Sequence, residues 1–490
     1  MVLDFRTQLL CCRPTPHPHL FTTVSLFLQD PKTTMSYKQQ KEAFVTGHTG
    51  TTMFELAIAG LLFPASCFFY LSLRNSLSSL PTATFWPAFP LEFFCLVLPT
   101  ILSMTLLADA TTPLVIFLVA LGSTLALLHP PTPSTPVAAP NDRTTAARAT
   151  HITYFRSGIM LATCCAILAV DFPVFPRRFV KTEDYGQSLM DLGVGAFVVS
   201  GGLVSKMTRV STTIASAVSL KTELLRVVPI FGLGLVRIAI VYGVDYQEHV
   251  SEYGVHWNFF FTLACLSMMT ILFERTVWTF CFAPWVAKQS PRWPLLQPML
   301  LGGLGLGVLA WHQYRISFGG IEAWVSSGEE RRTLLDANKE GVTSTLGFFG
   351  LHLLATGWGC WERQRTQNNT KKDNNGSGQG VWHRRWYQYG TLAGVALAVG
   401  WLVSYGDGAI VGLRPSRKMA NATYCLWVFV HNMGILVLLE EVVGCFGARG
   451  GVVAVLVTAI NRNQLAVFLI GKGKGGGGGC GWWMVVVMFV

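Results

Sequence analysis

Apolar stretches of about 20 residues, each long enough to cross a ~30 Å hydrocarbon core, recur along the whole chain. They fall near 55–73, 91–108, 112–129, 156–175, 187–205, 223–243, 257–273, 295–311, 343–361, 388–406 and 422–440, with a twelfth candidate at 451–470. Backbone inside lipid must satisfy its own hydrogen bonds, which leaves helices or a closed barrel. The stretches are continuously apolar and lack the period-2 alternation of barrel strands. The expectation is an all-α polytopic membrane protein with about 11–12 transmembrane helices. Composition agrees, since 51% of the 490 residues are hydrophobic and 13% charged, where a soluble domain carries about a quarter charged.

The net charge of +11 belongs with loop orientation rather than with a nucleic acid, and no nucleic-acid partner is expected. The loop after the ninth span carries Arg363, Arg365, Lys371, Lys372, Arg384 and Arg385, and that after the fifth carries Lys206, Arg209 and Lys221. Loops after the second and sixth spans hold no Lys or Arg. This bias puts the amino terminus on the non-cytosolic side. Three clusters on that side break the trend: Arg177, Arg178 and Lys181; Arg331, Arg332 and Lys339; Arg414, Arg417 and Lys418. Basic residues placed against the orienting rule need another reason, and an anionic headgroup is a natural one.

Residues 1–34 lack a long apolar core followed by a small-residue cleavage site, which argues against a cleaved signal peptide. The Pro/Thr-rich segment 130–149 and the polar segment 362–385 read as solvated connectors, the second as a disordered loop. Residues 471–490 form a Gly-rich tail, and so glycine-rich a run does not sustain a helix. The 12 cysteines show no zinc spacing, so neither a metal site nor a disulfide framework is expected, and most read as small apolar fillers.

Charged residues beside the spans are the candidates for chemistry. Asp171 closes the fourth span in "AILAVDFPVFP", and Pro173 and Pro176 stop that helix and hold the chain extended. Lys181 lies ten residues later, and Asp191 falls inside the fifth span. A desolvated Asp171, or one paired with Lys181, can take a proton from an alcohol; the alternative is an interfacial ion pair that only fixes the loop. In "YGVDYQEHVSEYGVHWNFFFTL" (242–263), His256 and Asn258 can bind a polar headgroup or belong to an aromatic belt. Asn338 and Glu340 read as helix caps, and Arg417 and Lys418 either hold phosphate or snorkel. His352 and His431 sit in apolar surroundings and read as packing histidines. No G-x-S-x-G elbow, P-loop or H-x4-D pattern occurs.

Six blocks taken together resemble a known family: "SYKQQKEAFVTGHTGTT" (36–52), "RRFVKTEDYGQSLMDLGVGAFV" (177–198), "EHVSEYGVHWNFFFTL" (248–263), "NKEG" (338–341), "SRKMANATYCLWV" (416–428) and "NRNQLAVFLI" (461–470). They are similar to the GPI inositol acyltransferases, the family of mammalian PIG-W and its fungal counterpart, over residues 35–470. The resemblance implies an endoplasmic-reticulum protein of about 13 spans with a lumenal amino terminus. It implies transfer of a fatty acyl group, commonly palmitoyl, from acyl-CoA to the inositol 2-hydroxyl of glucosaminyl-phosphatidylinositol. Beyond these co-substrates and the membrane lipids, no bound cofactor and no metal is implied. The family's Asp and Lys match Asp171 and Lys181, as general base and as its orienter or oxyanion stabiliser, with the roles open to exchange. Arg177, Arg178, Arg417 and Lys418 would then bind phosphate, and His256, Asn258 and Asn338 would line the sugar or acyl pocket. Residues 1–34 read as an extension foreign to the family, and 471–490 as an aberrant end resembling translated intron. A lipid transporter or flippase and a non-catalytic scaffold are the competing readings.

Overall fold

The computed structural model describes residues 46–77, 85–130, 140–208, 219–243, 250–289, 295–327, 331–373, 413–446 and 453–472, with isolated positions 44, 393, 394 and 400. In chain order the main helices are α1 (Met53–Ser76), α2 (Ala88–Ser103), α3 (Thr111–Leu128), α4 (Pro140–Ala169), α5 (Leu189–Leu203) and α6 (Leu220–Gly243). They continue as α7 (Phe259–Gln289), α8 (Leu296–Phe318), α9 (Lys339–Asp373), α10 (Ala422–Cys445), α11 (Val455–Arg462) and α12 (Gln464–Lys472). Among the described residues there is no strand, only an isolated bridge between Gly50 and Gln187. The protein is an all-α polytopic membrane protein.

Five helical segments are long and apolar enough to cross a bilayer: α1, 108–128, 150–169, α7 and α10; α2 and α5 are shorter apolar helices. Their outward faces are apolar as well. Ile116 and Phe117 on α3 are 63% and 60% exposed, and only 17% of that span is buried within the protein. A lipid-facing surface needs this pattern, because hydrocarbon offers no partner to a polar group. Inside the bundle, α8 and α9 approach through glycines. A Cβ on Gly305 would stand 2.8 Å from the Gly350 carbonyl, and one on Gly357 2.8 Å from that of Pro298.

Every expected span that falls on described residues coincides with helix over most of its length, with three differences. The connector expected over 130–149 is helical from Pro140, where α4 begins. The twelfth candidate is broken at Asn463, between α11 and α12. The polar connector expected over 362–385 is helical as far as Asp373, because α9 simply continues. Extending an existing helix avoids the cost of nucleation, and buried Glu362 is held by His151 Nε2 at 2.8 Å. The rest of that connector, the 388–406 span apart from positions 393, 394 and 400, residues 1–34 and residues 473–490 lie outside the described residues.

Several loops are hydrogen-bonded together at one end of the bundle. The segment before α1 joins the α4–α5 loop through Thr51 N and Gln187 O at 2.8 Å. Gly186 N donates to Pro415 O at 2.9 Å, and Val255 N donates to Ala337 O at 2.8 Å. Gly50 and Gly186 have φ of 87° and 129°, and a Cβ at Gly50 would stand 2.0 Å from Gln187 O, so this seam excludes side chains. Helices starting here carry side-chain caps: Thr52 for α1, Ser188 for α5, Asn258 for α7 and Asn421 for α10.

Candidate active site

The loop between α4 and α5 is built by its arginines. After Ala169 the chain makes two turns, Phe172 N to Ala169 O at 2.9 Å and Phe175 N to Phe172 O at 3.1 Å, and becomes extended at Pro176. The prolines therefore end the helix as expected, but the first part of the loop is folded into turns rather than extended. Arg177 clamps it by donating to the carbonyls of Val170, Phe172 and Phe175 at 2.7–3.1 Å, which ties together the turns that follow α4. Arg178 bridges Glu55 Oε1 at 2.8 Å and Asp109 Oδ1 at 2.6 Å. Burial lowers its proton affinity, yet the two carboxylates outweigh that and raise it.

From there the chain turns inward to a cluster of charge. Lys181 Nζ donates to Glu252 Oε1 at 2.6 Å. Arg417 reaches the same oxygen at 3.3 Å and places its Nε 2.8 Å from Asp191 Oδ1. The other Asp191 oxygen accepts from Thr182 N, Thr182 Oγ1 and Ser188 Oγ at 2.9–3.2 Å. Tyr424 Oη donates to the Asp191 carbonyl at 2.7 Å, and the Arg417 guanidinium lies 5.7 Å from the centre of the Tyr253 ring. Burial pushes the Glu252 carboxyl up, but Lys181 and Arg417 outweigh it and hold it well below the usual carboxylate range. Arg417 is pulled down by burial and raised overall by Glu252 and Asp191.

Lys181, Glu252 and Tyr253, with Arg237 of α6, form the polar end of a cavity that continues between α1, α4, α5 and α10. The remainder is largely apolar, with Phe63, Phe155, Ile159, Phe197 and Ile435 on its walls. Lining residues on α4 extend from Phe155 to Ile167, about 18 Å at 1.5 Å per residue. A long apolar bore ending on fixed charge suits an amphipathic molecule with a fatty chain and a polar head.

The sequence-derived candidates separate on this geometry. Lys181 lines the cavity, and Arg417 sits directly behind it. Lys418 is buried and pairs with Asp184 Oδ1 at 2.9 Å. Asp171 is exposed and is absent from the lining; its charge acts on Arg177. The structure therefore does not make an Asp171–Lys181 pair; the carboxylate on Lys181 is Glu252. Arg177 is committed to carbonyls of the loop itself, and Arg178 to Glu55 of α1 and to Asp109 before α3. Asn258 caps α7 and donates from Nδ2 to Gly234 O at 3.0 Å, while Asn338 Oδ1 accepts from His256 N at 2.9 Å. These three polar residues fasten loops, and none lines the cavity. His431, expected to pack between helices, has its ring centre 5.5 Å from that of Trp427 and also lines the cavity. Glu252 was not singled out by sequence although it lies in a stretch that was, and Arg237 was passed over although an arginine inside a span is itself a signal.

Fold and site together define a polytopic helical membrane protein with an amphipathic cavity between its helices, closed at one end by charged loops. The sequence model of the GWT1 family matches residues 37–472, and the chain belongs to that family. It is similar to GPI-anchored wall transfer protein 1 of Aspergillus fumigatus, 31% identical over 476 residues, covering 89% of this chain and 90% of the relative. The protein of that name in Gibberella zeae is 32% identical over 489 residues, 90% of each chain, and that of Candida albicans 29% identical over 466 residues, 89% of this chain and 90% of the relative.

Proposed function

We propose that this protein acts in GPI-anchor biosynthesis as an O-acyltransferase of the endoplasmic-reticulum membrane, its amino terminus lumenal. It moves a fatty acyl group, palmitoyl in the first instance, from acyl-CoA to the inositol 2-hydroxyl of glucosaminyl-phosphatidylinositol. The observation that carries this reading is the cavity, apolar along its bore and ended by Lys181, Glu252 and Arg237. Family membership and the names of the relatives support the pathway.

The chemistry needs a proton acceptor for the inositol hydroxyl and a positive group for the oxyanion that forms on the thioester carbonyl. Glu252 is a poor acceptor, because two cations hold it ionised; it orients Lys181. Lys181, anchored by that bond at the mouth of the bore, takes the oxyanion role. Asp171 takes the proton. It is on the same loop and exposed, where a lipid headgroup can reach it. The hydroxyl oxygen attacks the carbonyl carbon, the C–S bond breaks, and coenzyme A leaves as the thiol with the proton returned through Asp171.

The test expresses the full chain in cells lacking inositol acylation and supplies their microsomes with radiolabelled palmitoyl-CoA and glucosaminyl-phosphatidylinositol. Wild type labels the inositol, and Asp171→Asn and Lys181→Ala at equal protein level do not. Absence of label with the wild type overturns the reading. Full label with Asp171→Asn removes that residue from the mechanism.

A further inference from the structure

Five charged side chains line the polar end of the cavity or are linked to it through ion pairs, and their charges do not cancel. Lys181, Arg237 and Arg417 are cationic, and Asp191 and Glu252 are anionic. Lys181, Arg417, Asp191 and Glu252 join into one bonded chain. Arg237 stands apart. It lies six residues before the end of α6 at Gly243 and lines the cavity, and it feels Glu252 only through space, with no hydrogen bond or ion pair among the described residues. A half-buried guanidinium that lines a cavity and has no partner of its own is placed to meet an anionic ligand there.

Resting on the function proposed above, we propose that Arg237 is the anchor for a phosphate-ester anion of the amphipathic substrate. Binding one negative group brings the polar end of the cavity to neutrality. It also gives the guanidinium the planar oxygen pair that its N–H fork matches. The neighbouring arginines are not equivalent candidates. Arg417 is 4% exposed and already engaged with two carboxylates, Arg177 is taken up by carbonyls of its own loop, and Arg178 by Glu55 and Asp109. The site selects an anion of low charge, because Glu252 lies nearby and repels a second negative group. The phosphodiester of an inositol phospholipid and a phosphate of coenzyme A both have this chemistry. Arg237 lines the cavity beside Lys181, so either source would place its reacting group near the ammonium.

Two measurements on the purified full chain in detergent test this. The first is the Michaelis constant for each co-substrate in wild type, Arg237→Lys and Arg237→Gln. Loss of one charge-assisted contact raises the affected constant about tenfold or more, with a smaller rise for lysine, which keeps the charge but not the fork. A rise confined to the glycolipid assigns the anion to the lipid phosphodiester, and a rise confined to acyl-CoA assigns it to coenzyme A. The second needs no turnover: phosphatidylinositol in mixed detergent micelles raises the thermal midpoint of wild type more than diacylglycerol in the same micelles does, and that excess vanishes in Arg237→Gln. The same comparison with coenzyme A covers the other source. Unchanged Michaelis constants together with unchanged ligand-induced shifts overturn the proposal. A wild type that transfers no acyl group yet loses its ligand shift in Arg237→Gln leaves the anion site standing and removes the acyltransferase reading alone.

Discussion

Arg417 Nε lies 2.8 Å from Asp191 Oδ1, with the two side chains 4% and 2% exposed, joining the loop before α10 to the first turn of α5 across 226 residues of sequence. Each remaining polar contact of Asp191 runs to the α4–α5 loop or to α10. The pair therefore holds the floor on which Lys181 and Glu252 stand. In such a pair the loss on removing one partner comes mainly from the stranded charge.

Arg417→Ala accordingly destabilises the protein by about 3–5 kcal/mol, and Asp191→Asn, which keeps the shape and part of the hydrogen bonding, by less. The double variant Asp191→Asn/Arg417→Gln recovers part of the loss, since no net charge is then left buried by that pair. Thermal unfolding of the purified variants in one detergent measures all three. Additive losses in the double variant would show that the two residues act independently.

Glu252→Gln keeps the size of the side chain and removes its charge, so Lys181 loses the contact that fixes it at 2.6 Å. The expected result is a fall in kcat of about a hundredfold, the scale of a reacting group displaced by an ångström. Glu252→Asp restores part of it, and the Michaelis constants move little. A change confined to those constants would make Glu252 a binding group rather than a positioning one.

The same carboxyl sets a pH dependence. Its folded-state proton affinity lies below the unfolded value near 4.5. Its contribution to stability is therefore complete above that value and is lost as pH falls through the lower folded one. The stability difference between wild type and Glu252→Gln should be constant from about pH 8 to pH 5 and should shrink only below about 4.5. Unfolding midpoints in the two proteins at matched pH measure it. A difference that disappears already between pH 7 and pH 5 would contradict the depressed value.

Spans and loop ends were legible because hydropathy is a local property of the chain. Lys181, Arg417 and Lys418 were legible too, since their charge broke the orienting bias. Their partners were not. Glu252 meets Lys181 across 71 residues and Arg417 across 165, and Arg417 meets Asp191 across 226. Such distances are fixed only by which loops the bundle brings to one end. The same cause hides the contacts of Arg177, Asn258 and Asn338. In sequence they look like polar residues poised at the membrane, and in the fold their hydrogen bonds close helix ends and loops.

The bore itself carries the last prediction, which concerns acyl-chain length. Three glycines line it, and they differ in what a side chain would meet. A Cβ at Gly60 would stand 2.5 Å from the His431 ring and one at Gly158 2.6 Å from Phe63, so substitution there displaces a wall. At Gly193 the nearest atom is Thr163 Oγ1 at 4.0 Å, which leaves open space in the cavity. A leucine at 193 therefore starts from open space, and Gly193→Leu removes room from the chain. Each methylene excluded from an apolar site loses about 0.8 kcal/mol, so two excluded methylenes disfavour the longer chain about tenfold. The ratio of palmitoyl to lauroyl transfer, measured by competition between the two acyl-CoAs, should fall by that factor in Gly193→Leu and stay near the wild-type value in Gly193→Ala. An unchanged ratio in the leucine variant, at normal stability, would mean that the acyl chain lies elsewhere.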